Sequence, residues 1–312
     1  MRKFAIMSDT ACDVPVALQE KYDLEVVSSH LTLPDKSEID VHIEWDRMNM
    51  TREEFYKDLK KQPAAYATAP ASPGEFRDAI LRHVEKGEGV LFVSISSAIS
   101  GCLGFAEQGK ALVLEQYPDA EIRMIDSLRF GPALGLMMIH AALRREEGMD
   151  LNETAAWLLE NRNRFHQAGW LDDLSFVAKK GRINHAAAFF GSLAGVKPLG
   201  EFDSNGLTTV LGKAVGAKAA YKTMLDYLEA TQEGIEDQII FIAETNRLPQ
   251  AEAYKKMIEE RFHPKEIYIT DVCPTCGVNV GPGLMAAYYM GKPISADLQE
   301  EREIVEKSLA AK

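Results

Sequence analysis

The chain has 312 residues, of which 46% are hydrophobic and 26% charged, the composition of a globular protein rather than a disordered one. That length is too great for one ordinary core and suits two domains. The formal net charge of −12 repels a phosphate backbone and an anionic lipid surface, which argues against nucleic acid or membrane as a partner.

No stretch approaches the roughly 20 apolar residues that a membrane span needs. The N-terminus, MRKFAIMSDTACD, opens with Arg2 and Lys3 as a signal peptide does, but its apolar run stops at Ser8-Asp9. That is too early for a signal-peptide core, so a cytoplasmic protein is expected.

Along the chain, short apolar runs alternate with amphipathic segments. KFAIM (3–7) has the pattern of a buried strand, 15–22 that of a short helix, and EVVSSHLTL (25–33) is strand-like with β-branched residues. Thr51-Arg52-Glu53-Glu54 has the form of a capping box opening a helix. A loop rich in Ala and Pro follows, and Ser72 with Pro73 starts a helix to about His83. GVLFVSIS (89–96) is a fully apolar strand, SSAISGCLGF turns into a helix reaching Tyr117, EIRMID (121–126) is another strand, and 131–148 is a long helix ending at Gly148. One more amphipathic helix covers 151–165. Such alternation predicts a parallel sheet with helices on both faces, in a domain spanning 1–168.

The second domain, 169–312, mixes signals. Residues 171–193 read as two helices around a break at Lys179-Lys180-Gly181-Arg182. GVKPLGEF (195–202) and LTTVLGKA (207–214) flank Asp203-Ser204-Asn205-Gly206, a hairpin in which Asn-Gly supplies positive φ angles. A helix (214–230), a strand (238–244), a helix (249–262), a strand (266–272), a Gly-Pro-Gly helix start (281–283) and a charged tail complete a mixed α/β domain.

The residues show no convincing catalytic set. There is no GxSxG elbow, phosphate loop, HExxH or GxGxxG, and the seven histidines are scattered without metal-ligand spacing. The reading is therefore of a non-enzyme without metal or cofactor. Of Cys12, Cys102, Cys273 and Cys276, the last two form a CxxC. It lacks a second CxxC or CxH for zinc and sits far from the N-terminal strand unit, so it reads as loop chemistry ahead of redox chemistry. What recurs instead is a strand that ends in hydroxyl residues beside a glycine and a helix start. Ser8-Asp9-Thr10 and Ser94, Ser96, Ser97 with Ser100-Gly101 are the two cases. Ligands of open parallel sheets sit beyond the carboxyl ends of the strands, where free N–H groups and hydroxyls suit a small oxyanion such as a carboxylate. The same serines also serve simply as helix caps.

SDTACDVP (8–15), ATAPASPGEF (67–76), SISSAISG (94–101), MIDS (124–127), AKKGRIN (178–184) with GVKP (195–198), and GVNVGPG (277–283) come in an order and spacing that resemble the DegV family, from about residue 4 to about residue 291. The resemblance implies a two-domain α/β protein that binds a long-chain fatty acid between its domains and presents it to a separate fatty acid kinase, which makes the acyl phosphate. It places the carboxylate at Thr68 and at Ser96 or Ser97, and makes Arg182 a candidate contact for the kinase or the acyl phosphate. Asn279 stands where the family often has histidine; it can donate a hydrogen bond but carries no proton charge. Ala69 and Pro70 replace polar residues of the family's loop, Cys102-Leu103 replace Thr-Tyr, and Arg129 is either a solvated surface residue or an extra cation near the site. For the tail, 186–196 (with Phe189, Phe190 and Leu193) and 284–290 are apolar, although such stripes are usually ordinary core. Two other readings stand beside the carrier. One is an acyl or phosphoryl transferase with a strand-end serine as nucleophile, which needs a base within reach. The other is a regulatory protein whose lipid is structural.

Overall fold

A computed structural model describes residues 3–41, 43, 45, 50–180, 182–184 and 195–311, with backbone alone for Ser175, Ile183 and Asn184. Phe189, Phe190 and Leu193 lie outside the described residues. The first half runs β1 (Phe4–Asp9), α1 (Val16–Tyr22), β2 (Leu24–Val27), β3 (His30–Thr32), β4 (Glu38–Asp40), α2 (Arg52–Lys61), β5 (Ala67–Ala69), α3 (Pro73–Val84), β6 (Gly89–Ser94), α4 (Cys102–Leu114), β7 (Ile122–Asp126), α5 (Pro132–Glu146) and α6 (Leu151–Asn161). Four parallel strands lie in the order β2-β1-β6-β7. Every residue of β1 and β6 is buried, as strands covered on both faces must be. The chain leaves β1 toward β2 and returns to β6 on the other side, which puts the switch point of the sheet between the carboxyl ends of β1 and β6. Residues 25–33 are two strands rather than one. The chain breaks at Ser28-Ser29, and β3 leaves the parallel sheet to pair with β4 and β5 in a small antiparallel sheet. The expected capping box of Thr51 with Glu54 forms, and the expected N-cap Ser72 also closes a box, with Glu75.

The second half runs β8 (Phe165–Leu171), α7 (Ser175–Lys179), β9 (Ile183–Asn184), β10 (Val196–Phe202), β11 (Thr208–Val215), α8 (Ala217–Thr231), β12 (Ile239–Glu244), α9 (Leu248–Phe262), β13 (Glu266–Asp271), α10 (Pro274–Val280), β14 (Leu284–Met290) and α11 (Gln299–Ala310). Its seven strands lie in the order β13-β12-β14-β8-β10-β11-β9, parallel at both edges and antiparallel between. The fold is therefore α/β, with a parallel sheet and a mixed sheet. The mixed sheet begins at Phe165, so the division expected after residue 168 falls inside β8.

Three local expectations are corrected. Ile183-Asn184 extends the sheet beside β11, where a second helix was read. Gly281-Pro282-Gly283 ends α10 and leads into β14 instead of opening a helix; Gly281 and Gly283 have φ of 76° and 107°, a backbone that glycine adopts without strain. In the β10–β11 hairpin only Gly206 has positive φ (82°). Asp203 Oδ1 instead accepts the N–H groups of Asn205 (2.8 Å) and Leu207 (3.1 Å), and Asp203 N–H donates to Leu207 O (2.7 Å). This makes a longer loop closed by one left-handed glycine.

Helix α5 joins the halves. It is buried along nearly its whole length, packing on β1 and β6 and also on β8, β12 and β14. Two buried charges reinforce that junction. Arg129, between β7 and α5, is not solvated, and it does not itself line the cavities beside the neighbouring Phe130. It is wholly buried, donates to Phe165 O (2.9 Å) and Leu128 O (2.7 Å), and lies 4.9 Å from the Phe202 ring. Burial pulls its pKa down to about 10. Glu201 on β10 is also fully buried; Oε1 accepts the N–H groups of Gln167 (2.8 Å) and Phe202 (2.7 Å), while Oε2 takes Tyr227 OH and His166 Nδ1, each at 2.8 Å.

His140 on α5 predicts an acid sensitivity. Its half-buried ring stacks on Trp157 (5.7 Å) and meets Phe165 edge-on (5.4 Å). Desolvation, then Arg144, lowers its pKa to about 4. A histidine whose folded pKa is depressed contributes stability that is whole above its unfolded value, near 6.5, and is lost as pH falls through 4. Because the ring keeps some contact with water, the loss is about 2 kcal/mol. Urea titrations at pH 7 and pH 4.5 check this: His140→Phe is expected to flatten the acid side of the curve, and an unchanged slope would refute it.

Candidate functional site

A cavity of about 190 Å³ opens at the switch point. The parallel sheet supplies Asp9 and Ala11 after β1, and Ile95, Ile99, Ser100, Gly101 and Cys102 after β6. The small sheet and its preceding turn supply Ser29, Thr68, Ala69 and Pro70, while α10 contributes Thr275, Cys276, Asn279 and Val280. Its polar groups are mostly neutral. Thr68 sits at the centre of β5, opposite Leu31. Asn279 Nδ2 donates to Thr275 O (2.8 Å) and reaches Thr68 Oγ1 at 3.5 Å, so two residues far apart in sequence meet at one wall. Ser29 Oγ accepts from Thr10 Oγ1 at 2.8 Å.

Asp9 is the acid of this cavity, and its lone pairs are turned toward the protein. Oδ1 accepts Ala11 N–H (2.9 Å), and Oδ2 accepts Ile95 N–H (3.0 Å) and the Cys102 thiol (3.4 Å). Burial pushes its pKa up, against those backbone donors. Arg182 lines the same cavity from the other half; Nε donates to Ile99 O (3.3 Å) and Nη1 to Lys180 O. No carboxylate among the described residues pairs with it, which leaves positive charge beside neutral donors.

Ser96 and Ser97 are not in this lining. Ser96 is buried and its hydroxyl donates to Gly206 O at 2.8 Å. A side chain at Gly206 would overlap that hydroxyl, so the tip of the β10–β11 hairpin docks on Ser96. Ser97 is exposed and donates to the Asp126 carboxylate. Sequence reasoning pointed to Ser100 and missed Ser29 as a lining residue. The signal for Ser29 was the polar Ser28-Ser29 pair inside an otherwise strand-like run.

A second, apolar cavity of about 60 Å³ adjoins the first and shares Phe130, Val177 and Val280 with it. Its remaining walls come from the mixed sheet: Gly169, Trp170, Leu171, Pro198, Gly200, Thr208, Val210 and Leu284, with Gln167 and Leu174. Of the two apolar segments read from the sequence, 284–290 contributes Leu284 and is otherwise the buried core of β14. The arrangement offers hydrogen-bond donors at one end and hydrocarbon at the other.

His30, Asp40 and Glu75 are the one group among the described residues with metal-ligand proximity. His30 already bridges the carboxylates, Nδ1 to Asp40 (3.0 Å) and Nε2 to Glu75 (3.1 Å), and Glu75 also caps α3. No described helix is long and apolar enough to cross a membrane.

Comparison with known proteins agrees with this architecture. A DegV domain-containing protein of Clostridium perfringens is 28% identical over 291 residues, 93% of this chain and 98% of that protein. A DegV family protein of Thermus thermophilus, described for its fatty acid binding, superposes with a TM-score of 0.82 at 22% identity, covering 93% of this chain and all 100% of the other. The fatty acid kinase B3 protein of Streptococcus pneumoniae, solved with linoleic acid, superposes at 0.75 with 20% identity, covering 93% and 100%. Residues 3–292 match the model of the family described as "Uncharacterised protein, DegV family", and the chain belongs to the DegV family.

Proposed function

We propose that this protein holds one long-chain fatty acid between its two halves and presents the carboxylate to a separate fatty acid kinase. The observation that carries the reading is the continuity of the two cavities. A polar end and an apolar end meet at Phe130, Val177 and Val280. A carboxylate buried without partners would cost several kcal/mol or take up a proton. Thr68 and Asn279 offer it an O–H and an N–H donor, and Arg182 offers charge near the same opening. The tail lies against the mixed sheet. A kinase partner is supported by the fatty acid kinase B3 protein of S. pneumoniae, which shares the fold. Carriage is favoured over acyl transfer because the Ser96 hydroxyl is spent on Gly206 O and Ser97, paired with Asp126, does not line the cavity.

The test is direct. Purified protein is denatured, extracted with organic solvent and analysed by mass spectrometry. One equivalent of a long-chain fatty acid is expected. Thr68→Val and Asn279→Leu are each expected to weaken retention by about tenfold, the value of one hydrogen bond to a charged group. An empty extract from protein that also fails to take up added acid would overturn the reading. With a fatty acid kinase and ATP, acyl phosphate trapped as hydroxamate is expected; bound lipid that is never phosphorylated would make it structural.

A further inference from the structure

The CxxC sequence is not a loop. Cys273 is the N-cap of α10, and Cys276 stands one turn further on. Residues three apart on a helical turn lie about 5–6 Å apart at Cβ, and their Cα separation falls within the roughly 4.4–6.8 Å that a disulfide spans. Both are free thiols, one buried and one partly exposed, and Cys276 lines the polar cavity. Cys273 Sγ lies 3.3 Å from Thr275 Oγ1. Behind it stands Asp13, a fully buried acid whose Oδ1 accepts Cys273 N–H at 2.9 Å and whose Oδ2 has no hydrogen-bond partner. Two thiols this close compete for one proton. Burial works against a charge on Cys273, but hydrogen bonds from Cys276 and Thr275 outweigh it and lower its pKa; Cys276 moves up in response. Burial, then Cys273, pushes Asp13 up.

We propose that Cys273 and Cys276 form a reversible dithiol–disulfide pair, reached through the polar cavity by low-molecular-weight disulfides of the glutathione class. Cys276 attacks one sulfur of the incoming disulfide, passing its proton toward Cys273, and a thiolate leaves. Cys273 then attacks Cys276 Sγ in the mixed disulfide and expels the second thiolate. One S–S bond forms in the protein and one breaks in the small disulfide. Two electrons leave on the two small thiolates, and the single thiol proton, carried from Cys276 to Cys273, ends on Asp13. Asp13 exchanges the proton at Cys273, donating it when the disulfide is reopened and receiving it when the bond closes. A ligand in the cavity covers Cys276 and slows entry; this last step alone rests on the fatty acid reading.

The experiment uses delipidated full-length protein in glutathione buffers of graded redox poise. The protein is then quenched with an alkylating agent and digested, and the peptide carrying both cysteines is weighed. A Cys273–Cys276 disulfide that forms and reopens with the poise is expected, unchanged in Cys12→Ser. Cys273→Ser is expected to stop at glutathione on Cys276, and Cys276→Ser to prevent both products. Asp13→Asn keeps Oδ1 and tolerates the left-handed backbone at this position (φ 52°); it is expected to slow exchange about tenfold. Thiols that stay reduced in fully oxidised glutathione while the native fold persists would overturn the proposal, as would a Cys12–Cys273 bond. Added oleate is expected to slow exchange by about tenfold or more. A disulfide that forms equally fast with oleate present would leave the redox pair standing and count against the lipid arm, which solvent extraction tests independently.

Discussion

Replacing Val177 by tryptophan is expected to weaken retention of palmitate about a hundredfold while leaving octanoate within about threefold. Val177 is buried on α7 and belongs to both cavities. An indole there fills the neck between Phe130 and Val280. Each methylene kept out of the apolar compartment forfeits about 0.8 kcal/mol, so excluding only four removes about 3 kcal/mol, the hundredfold. Octanoate, held chiefly at its head, loses little. Overpacking itself costs about 1–3 kcal/mol of stability, so a thermal melt accompanies the binding series. Palmitate retained as in the parent would show that the tail takes another route.

Glu201→Leu is expected to lower the thermal midpoint by about 10 °C, and Glu201→Gln by much less. The carboxylate meets four partners from three elements: the backbone N–H groups of Gln167 and Phe202, the Tyr227 hydroxyl and His166 Nδ1. His166 Nε2 is already engaged with Lys292 O at 2.7 Å. Leucine leaves two backbone N–H groups and a phenol buried without acceptors, each costing about 1–3 kcal/mol. The removed charge also stood near buried Arg129, and breaking such an arrangement costs about 3–5 kcal/mol. Glutamine keeps one oxygen for both N–H groups, and its amide donates to the tyrosine and the imidazole. Equal midpoints for the two variants would show that this cluster contributes nothing to the junction of β8, β10 and α8.

Hydrophobic periodicity and capping chemistry are local, and they were legible. The alternation of β1, α1 and β2, the fully apolar β6, and the caps at Thr51 and Ser72 each depend on residues within one turn or one strand. Thr68 and Asn279 were named separately, from the resemblance and not from spacing, and their meeting at one wall was not legible. The short elements were misjudged. Ile183-Asn184 is a strand only because β11 lies beside it, and LMAAYYM is the middle of a sheet because β8 and β12 flank it. Pairing partners are not written next to a segment, and tertiary context overrides its own preference.

By itself the sequence determined that this is a two-domain α/β protein with a parallel first sheet. It also pointed to the hydroxyl-rich strand ends beside which the cavity opens, because burial pattern and turn chemistry follow from neighbouring residues. Which hydroxyls face the cavity was decided only in three dimensions. Ser96 and Thr68 look alike as strand-associated hydroxyls, yet the hairpin tip at Gly206 consumes one while the wall at Asn279 exposes the other. Arg129 and the CxxC changed meaning for the same reason. Arg129 takes a carbonyl from Phe165 at the start of β8, and Cys273 donates its N–H to Asp13 of the first strand unit. Each depends on groups that approach only when α5 draws the two sheets together, and the free energy of a buried polar group is set by those distant partners.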